Sequence, residues 1–232
     1  MTANGGDAPV VTIDGPSGTG KGTIATLLAQ ELAWHYLDSG ALYRAVAWAA
    51  GRRGLPLEAA RAAELGELAR HLGIRFAPTA EGPVQVFIDE EEVTAALRSG
   101  EISEGASVVA AMEPVRDGLL DLQRSFAQGP GLVADGRDMG TVVFPHAPAK
   151  LFLTATPEER AVRRYEQLRG QGVDVTLDRI REELRQRDER DAKRAVAPLR
   201  PADDAYVVDT TDISIEEVLA EVLNWVRQRC GT

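Results

Sequence analysis

A run of glycines around one lysine is the stretch of this sequence best suited to bind phosphate. It extends from Gly15 to Thr23, between an apolar run and a helical pattern. Glycines let successive backbone N–H groups turn toward one centre, a helix N-terminus adds positive partial charge, and Lys21 can reach nucleotide phosphates. We therefore predict an ATP-binding phosphate loop, made of Gly15, Pro16, Ser17, Gly18, Thr19, Gly20, Lys21, Gly22 and Thr23.

Two oxygen-bearing side chains near this loop could hold a magnesium ion. Asp135 ends an apolar run, and the carboxyl end of a buried strand beside a phosphate loop is where a Mg²⁺ ligand is expected. Thr23 supplies a hydroxyl, although Gly22 separates it from Lys21, whereas the strict pattern places the hydroxyl directly after the lysine. We predict that Asp135 and Thr23 bind Mg²⁺ with ATP, directly or through water. A simple turn aspartate is the alternative for Asp135.

Arginines recur in segments that are far apart along the chain, at 38–44, 135–141 and 187–194. Transfer of a phosphoryl group between two phosphate compounds requires cations around both phosphates and the exclusion of water. These arginines could converge on one such site. Residues 160–200 also hold 12 of the 26 lysines and arginines. That stretch is interpreted either as a solvated helical face or as a mobile basic lid over phosphates.

The elements that must position these residues follow from four short apolar runs that do not alternate, as is typical of strands buried on both faces. The runs are Val10–Ile13, Leu132–Ala134, Leu151–Leu153 and Tyr206–Val208. Helical stretches separate them at 24–33, 107–126 and 157–169, and another helix opens at Ser214. This alternation predicts an α/β fold of the P-loop NTPase type, with a central parallel sheet flanked by helices. Residues 73–93 interrupt the pattern and predict a small antiparallel hairpin.

Composition limits the classes of function. The net charge of −10 makes the protein a poor ligand for nucleic acid or an anionic membrane, so any anion must bind a local basic patch. The single cysteine, Cys230, allows no disulfide within the chain and fits a reducing cytoplasm. We expect no membrane span, because no run approaches the required apolar length. We also expect a monomer, because no apolar stripe is left unassigned.

Four motifs together carry a resemblance to a known family. They are Gly-Pro-Ser-Gly-Thr-Gly-Lys-Gly-Thr at 15–23, Asp-Ser-Gly-Ala-Leu-Tyr-Arg at 38–44, Ala-Asp-Gly-Arg-Asp-Met-Gly-Thr-Val-Val-Phe at 134–144, and Arg-Asp-Glu-Arg-Asp-Ala-Lys-Arg-Ala at 187–195. With them the sequence resembles the bacterial cytidylate kinases from Val10 to about Arg227. The first motif fits the whole kinase superfamily, and the other three are specific. The resemblance implies direct in-line transfer of the γ-phosphate of ATP to CMP or dCMP.

The resemblance also implies which residues bind the acceptor nucleotide. The cytosine ring would face Ser39, Arg116 and Asp138. The CMP phosphate would bind Arg44 and Arg137. An independent argument supports Asp138, because a carboxylate accepts a hydrogen bond from cytosine N4 but repels the O4 acceptor that uracil presents at the same position.

Further acceptor contacts are implied in the same way. The ribose would bind Ser107, Arg187 and Asp191, and Arg194 would bridge the acceptor and the phosphate. Tyr43 belongs to the same acceptor motif. On the donor side, the resemblance implies contacts from Arg160, Arg163 and Arg164 to ATP. The residues implied in catalysis are Lys21, Arg137 and Arg194.

The expected domain division follows from the motifs and the resemblance. We expect a loose N-terminal tail over 1–8 and a core formed by 9–38, 106–154 and 195–230. Residues 39–105 would form the domain that binds the nucleoside monophosphate, with the antiparallel insertion near 73–93. Residues 155–194 would form the basic, helical lid.

Two alternative functions remain open from the sequence. One is another small-molecule kinase on the same fold, acting on UMP, AMP or shikimate, and Asp138 beside Arg137 is the feature that favours CMP. The other is a nucleotide-dependent switch. A switch would place a hydroxyl directly after Lys21 and carry an Asp-x-x-Gly motif, whereas glycine follows Asp135 immediately.

Overall fold

The computed structural model describes residues 8–77 and 85–231. The chain divides into two compact units, Met1–Asp38 with Arg124–Thr232, and Ser39–Gln123. Most of the predicted N-terminal tail, residues 1–7, lies outside the described residues, as do residues 78–84 of the predicted hairpin.

The first unit contains the parallel sheet and its helices. Its strands are β1 (Val10–Asp14), β2 (His35–Asp38), β6 (Leu132–Gly136), β7 (Ala149–Thr154) and β8 (Tyr206–Asp209). Its helices are α1 (Lys21–Leu32), α6 (Pro157–Gly170), α7 (Leu177–Ala192) and α8 (Ile215–Cys230). A π-helical turn over Met139–Val143 follows β6.

The strands of this sheet lie in the order β2-β6-β1-β7-β8, and each pairs in parallel with its neighbours. Val11 of β1 lies opposite Val133 of β6 and Ala149 of β7. The predicted α/β fold with a central parallel sheet is thereby confirmed. The strand β2 was missed by the prediction, because Leu37 is the buried residue of a segment that otherwise reads as polar.

The core of this unit packs α1 and α8 against the sheet. Ile24 and Leu28 of α1 and Val222 of α8 are fully buried and join the side chains of β1, β6 and β7 in one apolar cluster. Because β1 is covered on both faces, all five of its residues are buried. The chain leaves the sheet after Asp14, the last residue of this strand. The phosphate loop begins at that point.

The helices α6 and α7 form a hairpin with a small apolar cluster of its own. Ala161 of α6 and Ile180 and Leu184 of α7 are buried there. Thr156 caps α6, since its hydroxyl accepts a hydrogen bond from the N–H of Glu159. The hairpin therefore depends more on polar contacts than the sheet does.

The second unit contains the remaining elements. They are α2 (Ser39–Arg52), α3 (Ala62–Arg70), β3 (Ile74–Ala77), β4 (Gln85–Ile88), β5 (Glu91–Glu92), α4 (Gly100–Val109) and, for most of its length, α5 (Glu113–Ser125). The strands β3, β4 and β5 form an antiparallel sheet in which Phe76 pairs with Val86 and Phe87 with Glu92. The predicted antiparallel insertion is confirmed, with an added short strand at Glu91–Glu92.

Two boundaries differ from the prediction. The stretch 107–126 was predicted as one helix, but α4 ends at Val109 and α5 begins at Glu113. Pro114 lies in the first turn of α5, where its missing N–H is tolerated, whereas inside one continuous helix it would break a hydrogen bond. Residues 106–123, which were assigned to the core, belong to the second unit, because α4 packs extensively on α2 within that unit.

Within the described part of the chain, helices that combine the length and the apolar character needed to cross a membrane are absent.

Candidate active site

The phosphate loop joins β1 to α1 and passes very close to two other elements. At Gly15, with φ of 151°, a Cβ atom would lie 2.1 Å from the carbonyl oxygen of Leu153 in β7. At Gly18, with φ of 84°, a Cβ atom would lie 2.9 Å from the carbonyl oxygen of Arg160 in α6. Both positions therefore require glycine, for space as well as for backbone conformation. The loop is held against the sheet and the start of α6.

The N-terminus of α1 faces this loop and can bind an anion. The helix begins at Lys21 after Gly20, which has no side chain to cap it, and the described first turn carries no acidic residue. Its first N–H groups and its dipole can therefore act on a bound phosphate. Lys21 extends along the loop and donates a hydrogen bond to the carbonyl of Pro16 at 3.1 Å.

The charge of Lys21 is under strong electrostatic influence. Burial lowers the pKa of Lys21 to about 7, and Arg137 and Arg187 add to that lowering, while Asp135 and Asp38 oppose it. A buried cation of this kind is stabilised when a phosphate binds beside it.

Asp135 lies where the sequence placed a magnesium ligand, at the carboxyl side of β6. It is buried, accepts a hydrogen bond from the Tyr36 hydroxyl at 3.4 Å, and has its Oδ2 3.3 Å from where a Cβ of Gly22 would lie. Thr23 is exposed on the first turn of α1. The described residues contain no cluster of three or more His, Cys, Asp or Glu side chains suited to a metal. Mg²⁺ fits such a place, because it usually takes few protein ligands and keeps water and substrate phosphates around it.

Arg137 connects the phosphate loop with α7. Its Nη2 donates a hydrogen bond to the Ser17 hydroxyl at 2.8 Å, and its Nε donates to Asp191 Oδ2 at 2.9 Å. The two partners come from opposite ends of the unit's sequence. A guanidinium group is thus held at the loop that would carry the donor phosphates, by a planar and directional set of contacts.

Asp191 is the centre of the basic cluster. Its side chain is fully buried, and it accepts hydrogen bonds from both Arg137 and Arg194. Burial alone would raise the pKa of Asp191, but Arg137, Arg194 and Arg187 together hold that pKa below its ordinary value. One carboxylate among these arginines leaves an excess of positive charge, which suits a second phosphate. The structure therefore brings together residues that the sequence placed far apart.

Asp138 follows Arg137 and directly precedes the π-helical turn, with 2% of its surface exposed. The turn is anchored by Asp14, the last residue of β1. The Asp14 carboxylate accepts hydrogen bonds from the N–H groups of Met139 and Gly140, each at 2.8 Å. Sequence reasoning missed Asp14. The available signal was an acid at the end of an apolar strand, directly before the first glycine of the loop.

The predicted ATP-binding arginines of α6 have protein partners in this structure. Arg160 is buried, forms a bidentate pair with Asp188 of α7, and donates to the Ser17 carbonyl at 3.1 Å. Arg163 donates to the hydroxyl and the carbonyl of Thr210, at 3.0 and 2.6 Å. All these contacts lie around the phosphate loop.

Two partners in this arrangement were not recognised from the sequence. Thr210 is buried, and its hydroxyl also donates toward the carbonyls of Thr19 and Thr154, both at 3.1 Å. Asp188 lies inside the recognised motif at 187–195 but was given no role. Arg164 donates a hydrogen bond to Gln167 along the exposed surface of α6.

The second unit carries the other predicted acceptor residues, on α2, α4 and α5. Ser39 and Tyr43 are buried on α2, and Arg44 is half-buried there. Arg116 is buried on α5, donates to the Ala110 carbonyl at 3.2 Å, and has its guanidinium carbon 5.9 Å from the centre of the Tyr43 ring.

Ser107 of α4 is also buried, with 3% of its surface exposed. Among the described residues, its hydroxyl has no hydrogen-bond partner. A buried hydroxyl in that state is uncommon in folded proteins and calls for a ligand or an ordered water. This observation agrees with a binding role for Ser107.

A phosphate loop between the first strand and the first helix of a parallel sheet, with clustered arginines beside it, defines the chain as a P-loop phosphotransferase. The sequence model of the cytidylate kinase family matches residues 11–228. This chain therefore belongs to the cytidylate kinase family.

Curated relatives agree with this membership. The cytidylate kinase of Stutzerimonas stutzeri strain A1501 is 56% identical over 222 residues, which cover 95% of this chain and 96% of the relative. The cytidylate kinase of Shewanella denitrificans strain OS217 is 55% identical over 220 residues, covering 94% and 96%. Among solved structures, an uncharacterized protein from Eubacterium ventriosum ATCC 27560 shares the fold, with a TM-score of 0.53, 11% identity, and coverage of 95% of this chain and 99% of that one.

Proposed function

We propose that this protein is a cytidylate kinase that transfers the γ-phosphate of ATP to CMP and dCMP, giving CDP and dCDP. The observation that carries the proposal is the position of Arg137. Its guanidinium contacts Ser17 of the phosphate loop at 2.8 Å and Asp191 of the acceptor motif at 2.9 Å. One cation thereby adjoins both the donor loop and the residues assigned to the acceptor.

In the proposed reaction, a phosphate oxygen of CMP attacks the γ-phosphorus of ATP in line, and the bond to the β-phosphate oxygen breaks to release ADP. A protein nucleophile is not required. Lys21, Arg137 and Arg194 would stabilise the charge on the transferring group and the two phosphates that flank it. The P-loop N–H groups at the start of α1 would hold the ATP phosphates in place.

Asp135 and Thr23 would hold Mg²⁺ with ATP, directly or through water. Both offer oxygen atoms, which are the ligands that Mg²⁺ prefers, and Asp135 lies close to Gly22 of the loop. When bound, the ion neutralises phosphate charge.

We assign acceptor recognition to the residues that the family resemblance implies. Asp138, Arg116 and Ser39 would recognise the cytosine ring. Arg44 and Arg137 would bind its phosphate.

The sugar of the acceptor would bind Ser107, Arg187 and Asp191, with Arg194 between acceptor and phosphate. Tyr43 would support Arg116, whose guanidinium lies over its ring. The buried Ser107 hydroxyl, which is without a partner among the described residues, favours this assignment.

On the donor side, we propose that Arg160, Arg163 and Arg164 contact ATP as part of a lid over residues 155–194. Arg160 and Arg163 are bound to Asp188 and Thr210, beside the phosphate loop, so their contacts would be shared with or exchanged for phosphate oxygens. The second unit, Ser39–Gln123, would form the acceptor-binding domain. We further propose that the protein works as a monomer in the cytoplasm, without nucleic acid or membrane partners, consistent with its net charge of −10.

A coupled assay of ADP formation with each nucleoside monophosphate in turn tests this proposal. We expect the highest kcat/KM values with CMP and dCMP, and lower values with UMP, AMP and GMP. Shikimate serves as an acceptor from outside the nucleotides. Equal use of UMP or AMP would indicate another kinase, and ATP turnover that ignores every acceptor would indicate a nucleotide-dependent switch.

A further inference from the structure

The turn that follows Arg137 and Asp138 is held at its beginning by a carboxylate. Both oxygens of Asp14 are used, Oδ1 by the N–H of Met139 and Oδ2 by the N–H of Gly140, each at 2.8 Å. Asp14 is the last residue of a fully buried strand. A buried strand end thus fixes the backbone directly after the two residues assigned to the acceptor.

Cations hold the end of the same turn. Arg124 donates from Nε to the carbonyl of Val143 at 3.0 Å, and Lys150 donates to the carbonyl of Pro145 at 2.6 Å. An anion at the N–H end and cations at the carbonyl end match the polarity of a helical turn. The backbone from 139 to 145 is therefore clamped between groups of opposite charge.

The packing around Gly140 leaves the turn little freedom. A Cβ atom at Gly140 would lie 2.8 Å from the Thr12 hydroxyl and 3.4 Å from Asp14 Oδ2. Thr12 and Asp14 are two residues apart on β1, so both lie on the same face of the strand. The turn rests directly on that face.

Burying the carboxylate of Asp14 costs free energy that a purely structural contact would not require. Burial raises its pKa to about 7, and Asp138 and Asp135 add to that increase, while the N–H groups of Gly140 and Met139 oppose it. Two backbone N–H groups could be satisfied by less demanding acceptors, such as water or a hydroxyl. A charged acceptor with both oxygens engaged instead sets the direction of two successive peptide groups.

We propose that Asp14 is a positioning residue for acceptor recognition, because its carboxylate fixes the turn that orients the side chains of Asp138 and Arg137. Asp14 itself touches no substrate. The inference rests on the proposed function, since it assumes that Asp138 recognises cytosine. A recognition carboxylate held by a rigid turn discriminates between N4 of cytosine and O4 of uracil better than one on a loose turn, since misorientation weakens the favourable contact.

The variant Asp14→Asn tests this directly. It keeps the shape and one acceptor oxygen, but its NH₂ group cannot accept the hydrogen bond from a backbone N–H. We expect the ratio of kcat/KM for CMP to that for UMP to fall by on the order of 10-fold or more. The KM for ATP should change by less than about 3-fold, because the phosphate loop keeps its own contacts. An unchanged ratio in folded protein would overturn the proposal.

Thr12→Val is the matched control. It alters a buried polar side chain on the same face of β1 and beside the same glycine, but the Thr12 hydroxyl has no hydrogen-bond partner among the described residues. Its ratio should stay within about 2-fold of wild type. If the CMP-to-UMP ratio falls as much in Thr12→Val as in Asp14→Asn, any disturbance of this face of β1 has the same effect. A specific role for Asp14 would then be contradicted.

A double-mutant cycle with Asp138→Ala separates positioning from a general structural effect. If Asp14 acts through Asp138, Asp14→Asn should change the CMP-to-UMP ratio little further once Asp138 is alanine. If the double variant lowers the CMP-to-UMP ratio by the product of the two single-variant factors, the proposal is contradicted. If wild type shows no preference for CMP, the proposed function fails instead. Slower hydrogen exchange at the Met139 and Gly140 amides in wild type than in Asp14→Asn would still support the anchoring.

If Asp14→Asn fails to fold, Gly140→Ala replaces it. Its added methyl group would lie 2.8 Å from the Thr12 hydroxyl, so the turn must shift away from the face of β1 that carries Asp14. The same fall in the ratio is expected, and an unchanged ratio would overturn the proposal.

Discussion

In the central sheet every residue of β1 is buried, and Ile24, Leu28 and Val222 complete an apolar cluster around it. The α6–α7 hairpin is built differently. Its described cluster buries Ala161, Ile180 and Leu184, and its outer surface carries ion pairs between neighbouring side chains, such as Arg185 with Glu182. Exposed pairs of this kind add little to stability. The hairpin therefore has far less apolar packing than the sheet.

The two regions also differ in how they hold the residues of the site. Gly15 of the phosphate loop is held by the close approach of Leu153 in β7, which a ligand need not disturb. Arg160 and Arg163 are instead held by hydrogen bonds to Asp188 and Thr210, for which phosphate oxygens could compete. We therefore expect a donor loop that is formed in advance and propose a basic hairpin that responds to ligand.

The largest effect should come from the preformed region. Lys21→Ala would remove the cation that we propose stabilises the transferring phosphate. We expect a folded protein whose phosphoryl transfer is lowered by on the order of 10²-fold or more. Steady-state kinetics with circular dichroism as a folding control provides the measurement. Near-normal activity in folded protein would show that the loop does not work as described.

The second expected effect is in the hairpin. Because phosphate oxygens could replace the present partners of Arg160 and Arg163 and join the hairpin to the nucleotides, residues 155–195 should exchange amide hydrogens faster in the free protein than with a bisubstrate analogue that joins the two nucleotides. The strands β1 and β6 provide an internal control, since they should be protected in both states. Equal protection of the hairpin with and without the analogue would argue against a lid.

A smaller effect concerns protons at the donor loop. Burial lowers the pKa of Lys21 to about 7 in the free protein, and bound ATP should raise it again. At a pH between the pKa of Lys21 in the free protein and its higher pKa in the ATP complex, binding of ATP takes up a proton. The affinity for ATP should therefore fall as the pH rises above about 7, by less than 10-fold per pH unit. Calorimetry in buffers of different ionisation enthalpy measures the uptake.

Lys21→Arg is the control for this effect, because arginine stays charged and takes up no proton. Equal proton uptake by wild type and Lys21→Arg would assign the linkage to another group.

Much of the fold could be predicted because it depends on local pattern. The apolar runs at Val10–Ile13 and Leu132–Ala134 identified buried strands, and the glycines around Lys21 identified the loop. The strand His35–Asp38 was not predicted, because it is stabilised by pairing with β6 and has few apolar residues of its own. The helix break before Glu113 was overlooked, although Pro114 is the local signal for it.

The candidate site was predictable in its residue types but not in its pairings. The contact between Ser17 and Arg137 joins residues that are 120 positions apart, and no local pattern encodes it. The same holds for Asp14 with Gly140, and for Thr210 with Thr19. Such contacts arise where the carboxyl ends of parallel strands meet, which requires the strand order that the structure supplies.

We propose that Asp138 selects cytosine, whereas Arg137 binds the phosphate of any acceptor. The most direct test is to measure kcat/KM for CMP and UMP, at fixed ATP and Mg²⁺, in wild type, Asp138→Ala and Arg137→Met. Asp138→Ala should lower kcat/KM for CMP by the equivalent of roughly 1–3 kcal/mol. The kcat/KM for UMP should fall less or rise, because the repulsion between the Asp138 carboxylate and uracil O4 is removed. Arg137→Met should lower kcat/KM for CMP and for UMP by similar factors. If Asp138→Ala lowers CMP and UMP by the same factor, this account of cytosine specificity is contradicted.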